Sequence, residues 1–338
     1  MPVTFNNRLR QLLLLALIIL LARMLLNELY VFITGFLGAI TLYILFRNSF
    51  FKLTIVKKWN SSLIAMSFIL ASLFLFAIPV YFSVRLLSSR LVTMLGNSED
   101  LQNKAKLIGN NLEVFTGMKL LTDANLRSFQ QELGIIATKI LNSSAGILSN
   151  FAVMFFLLYF LLINGKLVEK TIQRMIPLKD ENIVLLGTET INMVRANALG
   201  IPVLAILHGI VATIGYAIFG VHEFALWGFI TGIFSMIPVV GNAVVWIPLT
   251  AYFFAIGNNF DGVGLLIYSL VLITPTDYVA RLTILKRLMN VHPLITIFGV
   301  IVGITLFGFW GVIFGPLFIS YFIILIKIYI NEFGKPSP

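Results

Sequence analysis

Apolar residues run in long blocks along this chain, and the polar residues between the blocks fall in short groups that behave as turns. Residues 11–46 form one apolar tract, punctuated by Arg23, Asn27 and Glu28. About 20 apolar residues cross a bilayer, so the tract is long enough for two spans. It reads as a tight hairpin with Asn27 and Glu28 at the far surface. A third span is predicted over 63–87, kinked at Pro79, and a fourth over 144–165. The fifth covers 200–220, opens on Gly200-Ile201-Pro202 and carries His208. Further spans are predicted over 263–280, 293–307 and 312–330. The fold class is all-α, a polytopic transmembrane protein of about eight spans.

One stretch breaks this pattern. Ser235 to Asn242 separates two apolar runs, 224–237 and 243–256. Each run is ~14 residues, or roughly 21 Å of helix, short of a ~30 Å hydrocarbon core. The pair is either a re-entrant hairpin or two thin spans. Short apolar pairs interrupted by Gly and Pro bring backbone polar groups to the membrane midplane in transporters. Irregular backbone is tolerated at that depth only where protein or water covers it.

Two segments are charged. Residues 88–142 carry both signs and two helical stripes, Leu101/Ala105/Ile108/Leu112/Phe115 and Leu126/Phe129/Leu133/Ile136/Ile140. They predict an extracytoplasmic helical hairpin that packs on itself, on the membrane surface or on other subunits. Residues 167–199 predict amphipathic helices broken at Pro177 and lying along the inner surface. The organisation is therefore 1–87, an N-terminal hairpin and third span; 88–142, the external segment; 143–199, the fourth span and linker; and 200–338, a C-terminal core with broken helices.

Composition sharpens the class. Hydrophobic residues make up 59% and charged residues 11%, against about 25% charged in a soluble domain. The net charge of +10 has no groove-reading cluster behind it, so nucleic acid is not a predicted partner; the lipid bilayer is. Arg47, Lys52, Lys57 and Lys58 share a loop without an acid, which makes that loop cytoplasmic. Arg8 and Arg10 lie on the same side if 11–46 is a hairpin, and both termini are then cytoplasmic. The chain has no cysteine, so disulfides and thiolate chemistry are excluded. Neither a Walker A sequence nor His-Glu-x-x-His occurs. We expect no enzyme, no cofactor and no metal site.

Asp277 is the leading candidate for chemistry, because an acid within a span costs roughly 2.5–3.5 kcal/mol to insert. Arg281 lies one turn on and on the same face. The pair is either structural or a coupling carboxylate recaptured by its arginine. His208 is either hydrogen-bonded between helices or a proton relay. Pro238, Gly241 and Asn242 supply the break, whose freed backbone groups and Asn242 side chain suit a small polar ligand or a cation. Pro293 opens the last short pair, and Gly308, Gly311, Gly315 and Pro316 favour close helix packing.

Met236-Ile237-Pro238-Val239-Val240-Gly241 resembles the Ile-Pro-Tyr-x-Gly turn of the AI-2E family, the autoinducer-2 exporter-like transporters, with Val239 where many members have tyrosine. The resemblance continues through Asp277-Tyr278, His292-Pro293-Leu294 and Gly308-x-x-Gly311-x-x-x-Gly315-Pro316-Leu317. It implies an inner-membrane transporter without an ATPase domain, assembled as a homo-oligomer with five copies the expected number. The cargo implied is a small polar solute such as autoinducer-2, moved by an ion gradient. Sodium(lithium)/proton antiport and a passive oligomeric channel are the alternatives.

Overall fold

The computed structural model describes residues 3–96, 144–237, 241–276, 279–280, 283 and 293–333. Residues 97–142 of the external segment, Pro238, Asp277 and Arg281 lie outside the described residues. Six described helices are long and apolar enough to cross a membrane, and three shorter apolar helices accompany them. The protein is a polytopic helical membrane protein.

The first helix, α1 (Val3–Leu29), does not fold back on the second, α2 (Ile33–Phe51). The two are joined by a single 3-10 turn, Tyr30–Phe32, and lie end to end rather than side by side. This departs from the hairpin predicted over 11–46. From Val3 to Thr34 the sequence holds no Gly or Pro, and Asn27-Glu28 alone does not stop a helix. Every side chain from Arg10 to Val31 is exposed. Helix α3 (Ser61–Gly96) likewise continues past the predicted end at 87 and through Pro79 as one element.

Helices α4 (Ser144–Met175) and α5 (Asp180–Ile218) absorb the predicted surface linker. Only the turn holding Pro177 separates them, and Gly200-Ile201-Pro202, expected to open a span, lies in the middle of α5. Pro202 removes one ladder bond without ending the helix. α5 stops where Gly220 takes φ +66°. There the Val221 N–H donates to the Tyr216 carbonyl at 2.8 Å, the six-to-one bond of a glycine-terminated helix.

Helices α2 and α4 run parallel. Thr34 Oγ1 donates to Asn150 Oδ1 at 2.6 Å. At the far end of the pair Arg47 grips Glu169 with two bonds, 2.5 and 2.7 Å. Tyr43 donates to the same carboxylate at 2.8 Å, its ring lying on Gly165 where a Cβ would stand. Arg195 of α5 reaches the Ile44 carbonyl. These contacts and the apolar cluster around Leu42, Met154, Leu158, Leu162 and Val194 make α2, α4 and α5 one frame.

Four short elements follow: α6 (Phe224–Phe234), α7 (Ala243–Ala255), α8 (Asn259–Tyr268) and α9 (Pro293–Phe307), with α10 (Gly311–Phe333) last. α8 opens on an Asn258 cap whose side chain accepts from the Asp261 N–H, as such caps do. It continues through a π turn, Ser269–Ile273.

Candidate functional site

Helix α5 is the ruler against which the short helices can be placed. α6 descends along it antiparallel, with Gly228 against Thr213 and Gly232 against Ala205 and Gly209. Glycine at these positions lets two backbones approach closely. α7 then returns in the other direction, antiparallel to α8, where Gly262 faces Phe253 and Phe254. α8 itself runs antiparallel to α5: Gly264 faces Phe219, and the Tyr268 hydroxyl donates to the Val211 carbonyl at 2.9 Å. So α6 and α7 enter from the Ile218 end of α5, turn beside Ala205 and go back. The turn lies ~20 Å from Ile218 and ~15 Å from Arg195, the last charged residue of α5, by helical rise. The predicted broken pair thus forms a hairpin whose two arms lie along the same half of α5.

The second hairpin comes from the opposite end. Asn197 of α5 donates to the Ile313 carbonyl of α10 at 3.1 Å, and Thr190 pairs with Tyr321. That antiparallel register carries the Gly308 turn to the level of Gly200–Pro202. Met236, at the tip of the first hairpin, packs on the large apolar cluster that also holds Ile201 and Ile313. Counting on from Gly232 against Ala205 and Gly209 puts Met236 near the level of Val203, so the two tips lie within about a turn of each other on α5, close to where Pro202 interrupts its hydrogen-bond ladder.

At the break the described backbone amides are paired: Ser235, Met236, Ile237 and Gly241 donate to the carbonyls of Thr231, Ile233, Phe234 and Ile237. Gly241 is needed for space, because a Cβ there would overlap the Phe234 carbonyl oxygen. Side chains carry the polarity instead. His208 is fully buried on α5, and its Nδ1 lies 2.7 Å from the Leu204 carbonyl. A carbonyl only accepts, so Nδ1–H is the donor. Asn242 precedes α7 in the cap position, but its side chain makes no cap bond. Its Oδ1 is buried and meets no hydrogen-bond partner among the described residues. The same holds for Trp246 Nε1 and Ser269 Oγ. Tyr216 and Thr231 pair across α5 and α6 at 3.0 Å.

Of the sequence candidates, the structure brings His208, Gly241 and Asn242 to one level. Gly308, Gly311, Gly315 and Pro316 belong to the second hairpin, with Gly311 and Gly315 packed backbone to backbone on Gly303 and Gly299. Pro293 opens α9. Sequence reasoning missed Trp246 and Ser269. The available signal was a hydrogen-bonding group inside an otherwise apolar run.

A family model described as AI-2E family transporter matches residues 12–331. Among curated relatives, a protein of Aquifex aeolicus with a provisional transport-protein name is 32% identical over 183 residues, 54% of this chain and 52% of the relative. A Helicobacter pylori protein of the same provisional name is 29% identical over 186 residues, 52% and 53% of the two chains. The aligned part spans about half the length of these relatives. The family model, in contrast, extends over nearly the whole sequence. The chain belongs to the AI-2E family of membrane transporters.

Proposed function

We propose that the protein is a secondary transporter that exports a small polar solute, autoinducer-2 being the leading candidate, at the expense of an ion gradient. The observation that carries this reading is the approach of two hairpins from opposite ends of α5 to the level of Pro202, with His208 and Asn242 buried roughly 9 Å from it by helical rise. Two tips that approach one site from opposite sides are suited to alternating access, in which each tip closes the route on its own side. Asp277 is the coupling carboxylate in this scheme, with Arg281 as its partner in the uncoupled state, and His208 relays protons. The protein acts in the cytoplasmic membrane as a homo-oligomer, with the Asp180 end of α5 in the cytoplasm.

Proteoliposomes with a pH-sensitive dye inside test this reading. The expected result is a proton flux on adding autoinducer-2 that disappears in Asp277→Asn while assembly is unchanged. A flux on adding sodium or lithium alone, also dependent on Asp277, moves the assignment to cation/proton antiport. Unitary conductance without uphill flux makes the assembly a channel. Wild-type flux in Asp277→Asn removes the coupling role.

A further inference from the structure

We propose that Asn242, Trp246 and Ser269 form a subsite for a small uncharged solute bearing adjacent hydroxyl groups. The three come from two antiparallel elements. Counting back from the contact of Gly262 with Phe253 and Phe254, Ser269 falls about level with Trp246, and Ile273 with Asn242. Tyr268 bonds Val211 and lies on Gly215; counting along α5 from midway between these contacts, the same levels correspond to about Ala212 and His208. The groups thus occupy adjacent turns on the Ile218 side of the hairpin tips.

All three are at least nine-tenths buried: Ser269 is 0% exposed, Asn242 7% and Trp246 8%. None of Ser269 Oγ, Asn242 Oδ1 and Trp246 Nε1 meets a partner among the described residues. Ser269 and Asn242 could have been satisfied locally. Thr41, Ser72, Thr231 and Thr250 donate to the carbonyl four residues back; Ser269, at the start of the π turn, does not. An asparagine before a helix ordinarily caps it; Asn242 has helical dihedrals and leaves its oxygen unused. Buried polar groups without partners are costly and point to a missing ligand or water. Single-turn π-bulges also occur frequently at functional sites.

The donor set selects the ligand. An indole N–H only donates, an amide oxygen only accepts, and a serine hydroxyl does both. A solute hydroxyl complements all three. A bare cation is repelled by the indole N–H, and no described acid lines these turns. Asp277, eight residues after Ser269 in the sequence, is outside the described residues. An anion has only neutral groups here to compensate its burial. Asn242 and Trp246 are one turn, about 5.4 Å, apart along α7, a spacing that a vicinal diol bridges with one hydrogen bond to each.

The substrate assignment depends on the transport reading above; the binding site does not. The chain has no cysteine, so Ser269→Cys gives a single, near-isosteric thiol. The full-length variant in detergent is labelled with methyl methanethiosulfonate, with erythritol as the probe. Erythritol is expected to slow labelling at least fivefold and saturably, and adding Trp246→Phe, which keeps the ring and removes the donor, is expected to abolish the protection. Isosmotic trehalose and sodium chloride are expected to have no effect. No protection, protection unchanged by Trp246→Phe, protection by sodium, or a thiol that never reacts would each overturn the subsite. Erythritol flux into proteoliposomes then separates the two readings. Protection without flux of any solute sinks transport and keeps the site. Cation/proton flux without protection keeps transport and sinks the site.

Discussion

The two hairpins that meet on α5 are built in opposite ways. In the second, the arms are locked to each other: Gly303 lies against Gly311 and Gly299 against Gly315 and Pro316, backbone on backbone. In the first, the arms separate: α6 lies along α5 through Gly209, Gly228 and Gly232, and α7 lies along α8. The closed hairpin has no room for a polar side chain between its arms. The open one holds Asn242 and Trp246 on its α7 arm, with Asn242 Oδ1 and Trp246 Nε1 unpartnered among the described residues. One sequence pattern, a short apolar pair with a Gly-rich break, thus yields a rigid wedge in one case and a lined site in the other. What decides is whether glycines repeat every four residues on both arms or only on one.

The largest expected effect tests the wedge. Gly303→Leu or Gly311→Leu places a side chain where the opposing backbone now stands. Nothing flexible can move aside, so the cost is expected at about 3 kcal/mol or more, at the upper end of overpacking. Size-exclusion profiles in detergent should show loss of the monodisperse species. A normal profile would mean that the arms of the second hairpin are not locked, and the contrast between the hairpins would fall.

The tip glycines separate the two designs further, because they are present for different reasons. Gly241 has no special dihedral but no room; Gly308 has φ +59° and open space around its Cβ position. Gly241→Ala should cost about 2 kcal/mol by overpacking, and Gly241→Asn should be worse. Gly308→Ala should cost roughly 1 kcal/mol through the left-handed backbone, and Gly308→Asn should recover part of it, since Asn visits that region readily. Thermal unfolding of the four variants checks both orders. Rescue by Asn at both positions would remove the distinction.

Much of this was legible in the sequence. The two short pairs, their breaks and the small residues of the second one follow from run length and the positions of Gly and Pro. The course of the first pair, with both arms along one half of α5, was not, because 14 apolar residues fit a thin span as well as a hairpin arm. The hairpin expected at Asn27-Glu28 fails because polarity without a backbone breaker does not turn a helix. The linker over 167–199 became extensions of α4 and α5 for a related reason: charge periodicity marks a wet face, not an end. The Arg47–Glu169 pair joins residues 122 positions apart, and no local pattern announces it. Trp246 and Ser269 look like ordinary span residues until the register of α7 against α8 puts them at about one level.

The smallest effect sharpens the comparison most finely, because it concerns how the rigid wedge is attached to α5. Asn197 is 1% exposed and donates to the Ile313 carbonyl at 3.1 Å. That carbonyl lies inside α10, where the N–H of Leu317 is its helical partner, so losing Asn197 leaves no orphaned acceptor. Interhelical hydrogen bonds of this kind in membranes average about 0.6 kcal/mol, and Asn197→Ala should lower stability by about that amount. If the second hairpin moves as a unit against α5 during transport, the same substitution should change the rate of solute flux several-fold while the melting temperature barely shifts. In a static wedge, flux should follow stability and change little. Measuring both on one preparation distinguishes a wedge that is merely held from one that is released in each cycle, and only the latter gives the locked hairpin a part in alternating access.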